Sequence, residues 1–132
     1  MKEKLALAMI VKGTGKEPKE LERALKSVSK HVDGIFITLT GPKEELGEAE
    51  QICKDFGANV SYERALWTAD KKAIDWLREF FGYEPHLKEG DEVFQFDVAR
   101  NYNFSQIPKD YTWILWLDAD DIVLQAENSR NW

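Results

Sequence analysis

The chain has one cysteine, Cys53. No internal disulfide can form, so a fold stapled by disulfides is excluded. That usage points to a reducing compartment, and the expected location is cytoplasmic. No clustered histidine and cysteine spacing offers a zinc site. His86 stands in its stretch without a second His or Cys and reads as an ordinary exposed histidine. There is no basic stripe, and the net charge is −6. A general nucleic-acid partner is therefore not expected. A phosphate ligand is still open, because a bound cation reverses the local field. No run is long enough to span a membrane. The apolar stretch nearest the N-terminus, residues 5–11, has the length of a strand and lacks a signal-peptide cleavage pattern. Repeats and low-complexity segments are also missing.

What is present is the material of one soluble globular domain. Hydrophobic residues make up 43% and charged residues 32% of 132 positions, enough to bury a core and too apolar for a disordered chain. Leu5 to Val11 is apolar throughout and predicts a central strand. Lys12-Gly13-Thr14-Gly15-Lys16 follows as a loop. Its glycines and lysines suit a phosphate, yet no G-K-[ST] follows, so it is no P-loop. Pro18 opens a helix whose stripe is Leu21, Leu25, Val28 and Val32. Asp33-Gly34 turns into a second strand, residues 35–39. Thr40-Gly41-Pro42 opens another helix, with Leu46, Ala49, Cys53 and Phe56 inward and Gly57 at its end. On that stripe Cys53 is a small core residue rather than a reactive thiol. Residues 58–62 are a third strand.

Strand–helix alternation means crossovers and a mostly parallel sheet with helices on both faces. The next stretch is less regular. Thr68 is the expected cap of a helix through Phe81, with Ile74, Leu77 and Phe81 on one face. Residues 83–95 read as a surface loop. Asp97 to Phe104 reads as a helix with Asp97 favouring its dipole. Arg100, on that helix, has a planar fork suited to phosphate oxygens or to a surface ion pair.

The last strand, near residues 111–117, is apolar and predicted to be buried. It stops at Asp118-Ala119-Asp120-Asp121, three carboxylates in four positions. Like charges this close repel, and desolvation penalises each. A divalent cation such as Mg²⁺, Mn²⁺ or Ca²⁺ is the usual compensator. Ligands in open α/β sheets sit outside the carboxyl ends of the strands. The cluster is therefore the expected site of chemistry, against the plainer reading of a polar turn.

Four stretches together resemble family 2 glycosyltransferases of the GT-A fold. They are Met9-Ile10-Val11-Lys12; Leu21 to Val28 followed by Val32-Asp33-Gly34-Ile35; Phe96-Asp97-Val98-Ala99-Arg100-Asn101; and Trp113 to Asp121. Their order and spacing fit from residue 5 to about 124. The resemblance implies a GT-A, Rossmann-like sheet, a nucleoside diphosphate sugar as donor, an unknown acceptor, and Mn²⁺ or Mg²⁺. It places Asp118 on the nucleoside or sugar and at the metal, and Asp120 on the metal. Asp121 supports the loop or a metal-bound water. Arg100, Val11, Lys12 and Thr40 face the nucleotide. Two positions depart from the family pattern. Gly13 and Thr14 stand where many members have Asn-Glu, and Leu39 stands where many have a base-contacting Asp, with Thr40 and Gly41 continuing the family's pattern. Residues 67–95 read as an insertion. The family's acceptor half and catalytic base lie downstream of the acidic motif, and no residue here matches that base. The expectation is thus the donor-binding half of the enzyme, residues 1–132.

Three rivals remain. A non-catalytic nucleotide- or metal-binding module needs the same edge without transfer. A receiver-type domain needs its acidic pair after the first strand, where Lys12-Gly13 stands. A nucleotidyltransferase needs a glycine-rich signature that is missing there.

Overall fold

Every residue of Leu5–Val11 except Ile10 is buried, as an uninterrupted apolar run requires when both faces of a strand are covered. In the computed structural model, which describes residues 3–82, 86 and 88–119, this strand (β1) lies inside a four-stranded sheet. The other strands are β2 (Gly34–Leu39), β3 (Asn59–Tyr62) and β6 (Trp113–Trp116), in the order β3-β2-β1-β6. All three pairings are parallel; Val11 registers with Leu39, and Ala8 with both Phe36 and Trp116. Parallel neighbours need crossover helices, and the sequence supplies them.

Helix α1 (Glu17–Val28) has Pro18 in its first turn, Glu17 and Glu20 near its positive end and Lys26 near its negative end. It buries Leu21, Ala24, Leu25 and Val28. Helix α2 (Gly47–Asp55) buries Ala49, Ile52 and Cys53. These pack with Leu7, Met9, Val11, Ile35, Ile37 and Leu39, which share one face of the sheet by alternation. The opposite face carries Ala6, Ala8, Phe36 and Thr38. Helix α4 (Phe96–Ser105) covers it, with Ala99 and Asn103 buried. Helices therefore lie on both faces. No helix among the described residues is long and apolar enough to cross a membrane.

At the amino edge, Asp33 ties two strands: its carboxylate accepts from the Leu5 amide at 2.7 Å. Lys4 pairs with Asp110 at 2.6 Å, joining the start of β1 to the turn before β6. Each shifts the other: the Asp110 carboxylate raises Lys4, and Lys4 lowers Asp110.

The chain divides into two compact units, Met1–Arg64 with Asp97–Trp132, and Ala65–Phe96. The second unit matches the irregular stretch to within two residues and has its own structure. Strands β4 (Leu66–Thr68) and β5 (Glu92–Phe94) pair antiparallel, and helix α3 (Lys71–Phe81) lies between them in sequence.

Four local expectations need correction. Thr68 is not the cap of α3; it closes β4 opposite Glu92, and Asp70 accepts from the Ala73 amide at 2.7 Å instead. Residues 83–95 are not all loop, because β5 falls there. Pro42 does not begin a long helix. Its backbone is extended, a single 3₁₀ turn follows at Lys43–Glu45, and α2 starts only at Gly47. Finally, β6 is not fully buried: Trp113 and Ile114 are 46% and 45% exposed. Among the described residues β6 pairs with β1 alone, so it lacks the two-sided cover that buries β1.

Candidate functional site at the carboxyl edge

Strand order reverses between β1 and β6. The chain leaves β1 for its neighbour β2 on one side and returns as β6 on the other. Such a switch point opens a crevice beyond the strand ends, where α/β proteins bind ligands. Val11, Lys12, Thr40 and Asp118 all belong to this edge.

Val11 is buried and ends β1. Its carbonyl accepts from the Thr40 amide at 2.9 Å, so the two strand ends stay in register one residue past β2. Thr40 is itself buried, whereas Lys12 is exposed. The loops behind them interlock. Gly41 lies so close to the Lys12 carbonyl that a Cβ would overlap it, and a Cβ on Gly13 would come within 2.6 Å of the Leu46 side chain. Gly13 also has φ +79°, a conformation that favours glycine. Its work is thus loop packing. Lys16 precedes α1 as its N-cap residue, and its side chain makes no capping hydrogen bond.

On the other side, the Leu117 amide still reaches the Ala8 carbonyl at 3.3 Å. Asp118 follows and is exposed, while Ala119 is buried at 5% in the core shared with Leu39 and Leu46. Ala119, small and buried, anchors the chain directly after Asp118. Asp120 and Asp121 lie outside the described residues. Among the described residues no three Asp, Glu, His or Cys side chains gather at one point.

Arg100 is exposed and sits on α4 one turn before Asn103. Helix α4 leads through a short connection to the amino edge, where the Thr112 amide meets the Lys4 carbonyl at 2.9 Å. The helix therefore runs against the strands, and its N-terminal half with Arg100 lies toward the carboxyl edge.

Asn103 is the residue that sequence reasoning missed. It has no exposed surface. Its Nδ2 shares its two hydrogens among three acceptors: the Met9 carbonyl at 3.2 Å, the Phe36 carbonyl at 3.1 Å and Thr38 Oγ1 at 3.0 Å. Those groups lie on β1 and β2, close to the strand ends just described. Its Oδ1 is buried and has no partner among the described residues. The available signal was a polar residue four positions after Ala99, on the inward stripe of a helix.

Among the described residues, two depressions lie elsewhere. One of about 310 Å³ is lined by Glu50, Lys54, Val60 and Tyr62 among others. The other, about 350 Å³, is lined by Lys16, Lys19, Glu20 and Arg23. Burial, and secondarily Glu50, pushes the Tyr62 hydroxyl up. Burial pushes the Cys53 thiol up to about 11, which suits a core residue and disarms a nucleophile.

Compared with models of known protein families the chain matches none, and compared with curated proteins it shows no detectable relative.

Proposed function

We propose that the edge where β1, β2 and β6 end binds a nucleoside diphosphate sugar through a divalent metal. On this reading the chain is the donor-binding part of a family 2 glycosyltransferase with a GT-A fold. One observation carries it: Asp118 stands exposed just past β6 at the switch point, with Lys12 and Thr40 just past the strands on the other side. The order of the four sequence stretches supports the same reading.

Asp118 offers hard carboxylate oxygens, which fits Mn²⁺ or Mg²⁺, and the sequence adds Asp120 and Asp121 directly after it. When bound, the metal neutralises negative charge that grows on the diphosphate as the sugar leaves. The chain's own groups do the rest. The Arg100 guanidinium pairs with phosphate oxygens, and Lys12 adds a second cation. Val11 and Thr40, both buried, hold the two strand ends together behind the nucleoside. No residue here is assigned as the base that activates an acceptor.

The test is thermal denaturation with ADP, CDP, GDP and UDP, each with and without Mn²⁺. A true ligand at about a hundredfold excess over its dissociation constant adds roughly 2–3 kcal/mol of stability. Stabilisation by one nucleotide that requires the metal supports the proposal. No shift with any of the four rejects it.

A further inference from the structure

A fully buried asparagine with an unpaired acceptor is a poor choice for stability alone. A buried polar atom without a partner is unfavourable, and an apolar residue of similar size would avoid it. The amide orientation is not in doubt. Turned over, Oδ1 would face the carbonyls of Met9 and Phe36, so Nδ2 must point at them. The donors are what this position uses, and they reach 94 and 67 residues back along the chain.

Their targets are informative. Met9 lies two residues before Val11, and Thr38 two before Thr40. Asn103 thus grips β1 and β2 immediately behind the edge that carries Val11, Lys12 and Thr40. The same helix holds Arg100 one turn nearer that edge. Ala6 and Ala8 on this sheet face and Ala99 on α4 are small and buried. Apolar contacts between alanines do not fix how far a helix slides along a sheet. Directional hydrogen bonds do.

We infer that Asn103 is a positioning residue: its amide sets the placement of α4 along β1 and β2, and so holds Arg100 in register with the strand ends for nucleotide diphosphate binding. The inference rests on the donor-binding reading and adds to it a residue that touches no ligand. Thr38 extends the grip, since its hydroxyl exchanges a hydrogen bond with Ser61 on β3 at 2.8 Å.

The test is calorimetric titration of ADP, CDP, GDP and UDP with Mn²⁺ into the unaltered chain, Asn103→Leu, Thr38→Val, Arg100→Gln and the double variant Asn103→Leu/Arg100→Gln. Asn103→Leu removes the unpartnered acceptor but also the hydrogen bonds donated to Met9, Phe36 and Thr38, so its thermal midpoint should fall while the chain stays folded. Its affinity for the nucleotide should fall about tenfold, because misplacement of a binding group is costly even without its removal. Thr38→Val deletes one of three acceptors and should weaken binding by about two- to fivefold. The double variant should bind no more weakly than Arg100→Gln, since both changes remove one shared effect. Unchanged affinity in Asn103→Leu, or losses that multiply in the double variant, would overturn the inference and leave the donor-binding reading standing. Should Asn103→Leu not fold, Thr38→Val decides, and unchanged affinity there overturns the inference. An unaltered chain that binds none of the four nucleotides rejects the donor-binding reading and this inference together.

Discussion

Gly41 rests against the carbonyl oxygen of Lys12 with no room for a side chain between them. The loop leaving β2 and the loop leaving β1 are therefore one packed object. Gly41→Ala should destabilise the chain by roughly 1–3 kcal/mol, because the obstacle is backbone and cannot swing away. Urea denaturation measures this. Gly47→Ala is the control: a Cβ there meets nothing within 4 Å.

Leu25 is fully buried in the core between α1 and the sheet. Leu25→Ala should cost about 2–5 kcal/mol through lost burial and the cavity left behind. The same denaturation assay reads it, and a loss under about 1 kcal/mol would contradict the packing described.

Asp70 caps α3 through the Ala73 amide. Asp70→Ala should cost about 1 kcal/mol locally. Hydrogen exchange should show faster amides at residues 72–76, with β1 and β2 unaffected, because the two units are separately packed. Thr68→Ala should leave those amides unchanged.

The Cys53 thiol is held protonated by burial, from an ordinary value of 9.0 up to about 11. The folded state thus binds this proton more tightly than the unfolded state. Its contribution to stability is complete below about pH 9 and is lost as pH rises toward about 11. Denaturation midpoints should fall over that interval, and less so in Cys53→Ala. In native conditions near pH 8, a thiol reagent should label Cys53 only as fast as the chain opens.

The parts that could be read from the sequence are those with continuous signals. β1 is apolar without interruption, and α1 has Pro18, an apolar stripe and matched end charges. Gly82 ends α3 in a left-handed conformation with φ +70°, a C-cap signal that glycine carries in sequence. The parts that were hidden depend on distant partners. β5 is three residues long and exists through pairing with β4 more than twenty positions earlier. Thr68 and Asp70 are both capping residues, and only that pairing decides which one caps. The exposure of Trp113 follows from sheet order, which periodicity does not contain. In the site, Asp118 stands at a strand end as its apolar approach predicted. Asn103 was obscured because its role lies in groups on two strands far away in sequence.

The proposed donor site requires a diphosphate bound through a metal at Asp118 and Asp120. Calorimetric titration of the best-binding nucleoside diphosphate, first with Mn²⁺ and then with chelator, tests it most directly. A saturable heat is expected with the metal, with loss of that heat in chelator and in Asp120→Asn while the chain remains folded. Equal heats with metal and with chelator would contradict it.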